Sequence, residues 1–282
     1  MLERIKSKLK NTYAACVIRT LRDELRFARR RYRKTPSGFL FYGQKQMETG
    51  NFEKDETTIL RKLFNSAEVF VDIGANIGYF TCLACQCGMR VIAFEPINSN
   101  LKYLYENLRE NGWHKNAEVF PMGASDKPGL VDIFGEGTGA SLLEGWAGVS
   151  SLQRQTISVS SLDLVLGDRL AGKQTVIKMD VEGAEFQALC GASKLLGQLP
   201  RPIWLVEITL SEHRQGGKNP NFEATFELFW KYGYEAYSIG SSPCLVTRAK
   251  LDDYLNNGNN KGFESNFLFV APNLNGIEIV RC

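Results

Sequence analysis

Three carboxylates in this chain each come directly after a short apolar run. Asp72 follows VFV, Glu95 follows VIAF and Asp180 follows VIKM. Parallel strands present their carboxyl ends at one edge of a sheet, which is where open α/β sheets bind ligands. Carboxylates at such an edge attract a cation and accept hydrogen bonds from hydroxyl groups. The pattern therefore predicts a ligand site at the ends of buried parallel strands.

The turn after Asp72 indicates which ligand that is. Its sequence predicts a strand, a tight turn and then a helix, with Gly74, Asn76 and Gly78 bringing backbone N–H groups to the ligand. The dinucleotide fingerprint needs glycine at position 76 and at position 79, where this chain has Tyr79. Asp72 would repel a pyrophosphate and attract ammonium and sulfonium groups. These features favour S-adenosylmethionine (SAM); a turn whose glycines serve packing alone is the alternative.

Other polar residues lie at the same predicted edge. Glu95 stands 23 residues after Asp72, a separation that suits an acid binding the ribose hydroxyls. Asp126, after the third strand, is placed to accept from the adenine amino group, or is an ordinary turn acid. Period-two alternation puts Lys178 and Asp180 on one side of the fourth strand.

Two histidines are available as a general base. His114 follows a helix in a Gly-Trp loop and is expected to be structural. His213 follows the fifth predicted strand and should lie on the rim of the site. We regard His213 as a candidate base, with Asp180 as its rival.

No metal site is expected. A catechol-type site would need Asp180 together with an Asp-Asn pair after the fifth strand, where Glu207 stands instead. The spacing of Cys82, Cys85 and Cys87 on a helix does not bring three thiolates together, so we expect them to be buried as small apolar residues.

The elements that position these residues alternate between strand and helix from Val69 onward, which predicts a parallel, doubly wound α/β sheet. A β pair, Leu130–Phe134 and Gln155–Val159, flanks a glycine-rich insert at Gly135–Gly148 whose length is typical of a lid or a substrate contact. We interpret Leu251–Gly262 as a loop. The predicted strands after the first are Val91–Phe94, Glu118–Met122, Val176–Met179, Pro202–Ile208, Glu235–Ile239 and Phe267–Ala271.

Composition divides the chain into three expected parts: residues 1–34, a basic amphipathic helix; residues 35–66, a hairpin or loop-rich bridge followed by a lid helix at Phe52–Asn65; and residues 67–282, the catalytic domain. The first part holds twelve Lys and Arg and three acids, so its charge of +9 leaves −6 for the rest of a chain at +3. This helix either lies on anionic lipid, grips an acidic partner or packs on the domain. Nucleic acid is not an expected partner, because no basic surface with interleaved aromatic residues continues into the domain.

The remaining composition, with 44% hydrophobic and 23% charged residues, is ordinary for a globular protein. No apolar run approaches a membrane span, and the basic start lacks the apolar stretch of a signal peptide. Seven cysteines without a scaffold spacing favour reduced thiols. We expect a cytoplasmic protein, with peripheral contact at the inner membrane face as an option.

Four separated motifs resemble the FkbM-type SAM-dependent methyltransferases. They are VFVDIGANIG at Val69–Gly78, the Glu95-Pro96 pair, KMDVEGAE at Lys178–Glu185 and PIWLVE at Pro202–Glu207. The resemblance covers roughly Phe52 to Ala271. It implies a Rossmann-like sheet of seven strands with the last strand antiparallel, helices on both faces, and O-methylation of hydroxyls, often on sugars or polyketides.

The resemblance also implies roles for individual residues. The amino-acid part of SAM would be held by Asp72, Gly74, Asn76 and Gly78, the ribose by Glu95, and the adenine by Ser125 and Asp126, with Asp180 beside the methyl group. The function so implied is O-methylation of a sugar, polysaccharide or glycolipid intermediate. An NAD-dependent oxidoreductase and a SAM-binding protein without activity are the two alternatives.

Overall fold

A computed structural model describes residues 21–22, 24–25, 27–135, 141, 154–211, 217–240, 243–257, 265–274 and 276–280. The strands, in chain order, are β1 (Arg33–Lys34), β2 (Leu40–Phe41), β3 (Val69–Ile73), β4 (Arg90–Phe94), β5 (Ala117–Phe120), β6 (Gly123–Ala124), β7 (Gly129–Phe134), β8 (Arg154–Ser160), β9 (Thr175–Met179), β10 (Ile203–Glu207), β11 (Glu235–Ser238), β12 (Leu245–Val246) and β13 (Asn266–Val270). The helices are α1 (Lys45–Glu48), α2 (Lys54–Phe64), α3 (Tyr79–Gln86), α4 (Asn98–Glu110), α5 (Leu162–Leu166), α6 (Glu185–Cys190), α7 (Ser193–Gly197), α8 (Phe222–Lys231), α9 (Arg248–Asn257) and α10 (Gly276–Val280).

The main sheet has the strand order β12-β11-β13-β10-β9-β3-β4-β5 among the described residues. Strands β5, β4, β3, β9 and β10 are parallel, and β13 runs antiparallel between β10 and β11. The expected seven-stranded sheet with an antiparallel last strand is therefore confirmed. The two-residue strand β12 adds an eighth strand at one edge, which the sequence analysis did not predict.

Helices cover both faces of this sheet. Helices α2, α3 and α4 pack with apolar residues on one face, and α5 to α9 pack on the other. All five residues of β3 and of β9 are buried, because a sheet covered on both faces leaves neither side chain of an alternating pair in water. The central strands therefore show continuous apolar runs interrupted only where a residue serves the site.

A smaller sheet of β6, β8 and β7 lies beside the ligand edge. Its antiparallel β7–β8 pair confirms the predicted pair. Most of the Gly135–Gly148 insert between them lies outside the described residues. Ser141 is described; it bridges Phe134 and its hydroxyl donates to the backbone oxygen of Glu182.

The N-terminal region differs from the predicted helix over residues 1–34. The described positions between 21 and 28 are helical, but Arg33 and Lys34 form β1, which pairs with Leu40 and Phe41 of β2. The predicted helix is therefore wrong at its C-terminal end, because Arg33 and Lys34 belong to a β-hairpin. Residues 1–20 lie outside the described part of the chain.

Two further predictions need correction. Leu251–Gly262 is not a loop at its start, because α9 continues to Asn257 with Leu251 buried in the core. The Asn-Gly cluster misled the prediction, since it begins only as the helix ends. Cys82 and Cys85 are buried as expected, whereas Cys87 is exposed because it lies just past the end of α3.

Asn107 of α4 connects three parts of the fold through one buried side chain. Its Oδ1 accepts from the Tyr42 N–H at 3.0 Å, and its Nδ2 donates to the Tyr42 and Ile77 carbonyl oxygens at 3.1 and 3.0 Å. Ile77 belongs to the turn after β3. Asn107 therefore ties the N-terminal hairpin to the turn that forms the ligand edge.

Replacing Asn107 by alanine should lower the free energy of unfolding by about 1–3 kcal/mol, since it leaves buried backbone groups without partners. Urea denaturation with an unchanged m-value measures this. The control, Glu110→Ala on the exposed side of the same helix, should stay within about 0.5 kcal/mol of the wild type. Equal losses in the two variants would contradict the role of the amide.

Candidate cofactor and acceptor site

The turn after β3 is built from backbone conformations that favour glycine. Gly74 and Gly78 have φ of +86° and +87°, and Asn76 has φ of +54°. A Cβ on Gly74 would lie 1.8 Å from the carbonyl oxygen of Asp180, at the end of the neighbouring strand β9. Asn76 tolerates the left-handed region because its own side chain accepts from the next backbone N–H, at 2.8 Å. The turn therefore passes directly against the end of β9.

Glu95 is held rigidly at the end of β4. Its side chain is 3% exposed, and one carboxylate oxygen accepts from the Asn76 N–H at 2.8 Å. The other oxygen accepts from the Ile97 N–H at 2.8 Å and from the Asn100 amide at 3.2 Å. Burial raises the pKa of Glu95 to about 7, although these donors act against the increase. The carboxylate is therefore fixed in place and ready to accept from a ligand.

A cavity of about 620 Å³, including its open mouth, lies over these strand ends. Its lining contains both polar and apolar residues. The polar lining residues include Asn76, Glu95, Asn100, Asp180 and Glu182. The apolar lining residues include Phe94, Ile97, Met122, Ile133, Ile157 and Val181. The mixture of polar and apolar lining residues suits a flat ring joined to a polar, charged tail.

Four of the predicted site residues, Gly74, Asn76, Glu95 and Asp180, line this cavity together. Asp72 does not line it. Asp72 is 1% exposed, and its carboxylate accepts from the Thr81 hydroxyl at 2.6 Å. Burial raises its pKa to about 6. Any effect of Asp72 on a ligand therefore acts through its field and not through contact.

Gly78, Ser125 and Asp126, which were also predicted to bind the cofactor, do not line the cavity. Gly78 begins α3, and a Cβ there would meet Leu104 at 3.0 Å. Ser125 and Asp126 follow Ala124, which lines the cavity, and are joined by a hydrogen bond of 3.2 Å. His213 lies outside the described residues. His114 is exposed in its loop.

Lys178 forms the centre of a charged cluster beside the cavity. It is 4% exposed, and its Nζ lies 2.9 Å from Asp180 Oδ2 and 3.8 Å from Glu53 Oε2. The Phe80 ring lies beneath the same ammonium, 4.8 Å from it. The expected placement of Lys178 and Asp180 on one side of the strand is confirmed by their contact.

The carboxyls of this cluster differ in protonation. Burial opposes ionisation of Asp180, but the charge of Lys178 and its hydrogen bond hold the pKa of Asp180 below its usual value. Burial and the neighbouring Asp180 charge raise the pKa of Glu207 to about 10. The opposite directions of these two pKa shifts favour the ionised form of Asp180, which lines the cavity, and the neutral form of Glu207.

Glu53 and Glu207 were not predicted as site residues. Glu207 is the last residue of β10; in the sequence it speaks only against a catechol-type metal site. Glu53 immediately precedes α2 and has a left-handed backbone conformation, with φ of +38°. Burial raises the pKa of Glu53 to about 7. None of the described residues of α2 lines the cavity, so this predicted lid helix contributes to the site through Glu53. No metal-binding group of three acids, cysteines or histidines occurs among the described residues.

The comparisons with known proteins agree with this geometry. Residues 72–236, more than half of the chain, match the methyltransferase FkbM domain. The chain belongs to this family. The cavity, with its fixed Glu95 and its apolar lining residues, is suited to the expected cofactor SAM.

One curated relative is the hexuronic acid methyltransferase AglP of Haloferax volcanii, 30% identical over 148 residues. That match covers 51% of this chain and 59% of the relative, so the chain spans about three-fifths of the relative's length. Among solved structures, the FkbM methyltransferase of Methylobacillus flagellatus is 20% identical with a TM-score of 0.45 and covers 72% of this chain and 44% of its own. An O-methyltransferase of Bacillus cereus is 12% identical with a TM-score of 0.43, covering 77% of this chain and 80% of its own.

Gly74→Ala should remove both the fold of the turn and the cavity. Left-handed strain costs about 1–2 kcal/mol, and moving the end of β9 away from a Cβ costs about 1–3 kcal/mol more. The matched control is Gly88→Ala, which shares a φ of +80° but has nothing within 4 Å of the added carbon. Thermal unfolding compares the two variants, and a Gly74 variant no less stable than the Gly88 variant would contradict the close approach.

Proposed function

We propose that this chain is a SAM-dependent O-methyltransferase that acts on a hydroxyl group of a sugar, polysaccharide or glycolipid intermediate. The observation that carries the proposal is one cavity with a fixed acid for ribose hydroxyls, Glu95, and an ionised carboxylate, Asp180, on the same wall. The similarity to AglP, a hexuronic acid methyltransferase, supports a sugar acceptor. Peripheral association with the cytoplasmic membrane face belongs to the same proposal, on the basis of the charge of +9 carried by residues 1–34.

The cofactor would be held by residues of three strand ends. Glu95 would accept from both ribose hydroxyls, and the turn from Gly74 to Asn76 would border the amino-acid part. Ile133 and Ile157 would cover the adenine ring, near Ser125 and Asp126. The buried acid Asp72 sits behind the turn, where its negative charge favours a cationic ligand.

Asp180 would act as the general base for the hydroxyl group of the acceptor. SAM supplies a methyl group on a sulfonium, and in-line transfer needs the acceptor oxygen aligned and its proton removed. Asp180 is ionised and lines the cavity, so it can accept a hydrogen bond from that hydroxyl and orient it. Lys178 donates a hydrogen bond to Asp180, and its charge favours the ionised form of that carboxyl, as does a hydrogen bond with Glu207. His213 remains the alternative base.

Affinity for SAM should increase between about pH 6 and pH 8. The hydroxyl donors of the ribose favour ionised Glu95, whose pKa is raised to about 7, so protons compete with the ligand at the lower pH. Calorimetric titrations of the wild type and Glu95→Gln measure this. The variant should bind about tenfold more weakly at the higher pH and show a smaller pH dependence.

Glu185→Gln is the matched control for that titration. Glu185 is equally buried, with its pKa raised to about 7 by burial, but it does not line the cavity. This variant should keep the wild-type pH dependence of binding. A Glu95 variant that binds SAM as the wild type does would remove Glu95 from the ribose site, and tight binding of NAD in place of SAM would contradict the proposed function.

The base is identified by two variants and a pH profile, with labelled SAM and sugar or glycolipid extracts as substrates and product mass as readout. Asp180→Asn should lower kcat by about 100-fold or more, with SAM still bound. His213→Ala should keep kcat, and the wild-type kcat should be level from about pH 6 to pH 9, because the pKa of Asp180 is low. A kcat that falls below about pH 6.5 and is lost in His213→Ala would assign the base to His213.

A further inference from the structure

The N-terminal helical segment, residues 21–28, is docked on α4 by a small set of contacts. The Phe27 ring lies 4.9 Å from the Tyr103 ring, edge to face, and Lys102 Nζ lies 4.2 Å from the centre of the Phe27 ring. Glu24 pairs with Lys102. Just beyond the helix, Arg30 pairs with Glu106 at 2.5 Å. Phe27 is 9% exposed, so this side of the segment is closed against the domain.

These contacts also give the direction of the segment. Its residues 24, 27 and 30 contact residues 102, 103 and 106 of α4 in increasing order, so the segment and α4 run in the same direction. Helix α4 begins beside the cavity, which Ile97 and Asn100 line. The described part of the segment therefore enters the domain from the cavity end of α4.

The outward side of the segment carries large aliphatic residues in water. Leu21 and Leu25 are 59% and 60% exposed. Helical spacing groups these leucines with Ala28 in one apolar stripe. The residue that packs on the domain is Phe27, which lies outside that stripe. Each leucine would gain about 1.5–3 kcal/mol from complete burial. The stripe therefore remains available for a second surface.

Arginines surround these leucines. A groove is lined by Arg22, Leu25, Arg29, Arg31, Arg33, Tyr42 and Glu48, and Glu48 is the single acid in that described lining. Glu48 pairs with Arg33 at 3.1 Å. The groove therefore keeps an excess of positive charge.

We propose that this arginine–leucine face, comprising Leu21, Leu25, Arg29, Arg31 and Arg33, binds the surface of an anionic lipid bilayer. Exposed leucines on a basic helix match a bilayer interface, where the aliphatic side chains enter the acyl boundary and guanidinium groups meet lipid phosphates. The binding needs no catalysis. One consequence rests on the proposed function: the cavity end of α4 would then face the source of a lipid-linked acceptor.

Co-sedimentation of the full chain with vesicles tests the proposal. Vesicles of phosphatidylcholine with about one third phosphatidylglycerol should bind the protein, and vesicles of phosphatidylcholine alone should not. Arg29→Glu with Arg31→Glu should weaken binding at least about tenfold. The control, Arg90→Glu with Lys115→Glu, makes the same charge change at exposed positions by the amino end of β4 and should change binding less than about twofold.

The leucines are tested separately. Leu21→Ser with Leu25→Ser should weaken vesicle binding by about tenfold or more, whereas Leu130→Ser with Leu164→Ser, at positions 73% and 66% exposed, should not. SAM affinity should be unchanged in all four variants, so loss of lipid binding and loss of the transferase function are distinguishable. The proposal would be overturned if neutral vesicles bound the protein equally well, or if a variant pair and its control had equal effects. It would also be overturned if the leucine variants bound vesicles like the wild type while inorganic phosphate competed with the vesicles. Dissociation of a dimer by the leucine variants, with vesicle binding kept, would instead assign the face to a second copy of the chain.

Discussion

The close contact between Gly74 and the carbonyl oxygen of Asp180 is the constraint on which the site depends. It requires a residue without a side chain in a left-handed conformation, and it brings the ends of β3 and β9 together. The backbone N–H of Asp180 donates to the Ile73 oxygen at 2.9 Å, which fixes the same approach from the other strand. The cofactor turn, Glu95 and Asp180 consequently share one cavity wall.

Buried charge follows from that arrangement. Lys178 is buried beside the half-buried Asp180 and Glu207, and a charge in such a place needs a partner. The Lys178 ammonium lies against Asp180 and favours its ionised form, whereas burial and the Asp180 charge raise the pKa of Glu207. Burial also raises the pKa of Glu53 to about 7. The cluster therefore keeps one carboxylate, Asp180, ionised at the cavity.

The sequence predicts the features that depend on local pattern and strand order. The alternation of strands and helices specifies the sheet, and period-two spacing brings Lys178 to Asp180. It does not reveal Glu53, because that residue reaches the cluster only through the packing of α2 and an unusual backbone conformation. The sequence also predicts the apolar stripe that contains Leu21 and Leu25, but it does not show which side of this helix packs on the domain. Helical periodicity reports the spacing of apolar residues and not their contacts.

A crystal structure of the full chain grown with S-adenosylhomocysteine, the neutral product of methyl transfer, tests the central claim most directly. We expect the ribose hydroxyls within hydrogen-bond distance of Glu95, the adenine against Ile133 and Ile157, and the sulfur facing Asp180. A structure in which the cavity is closed by its own side chains, holds a dinucleotide, or binds the ligand away from Glu95 would contradict it.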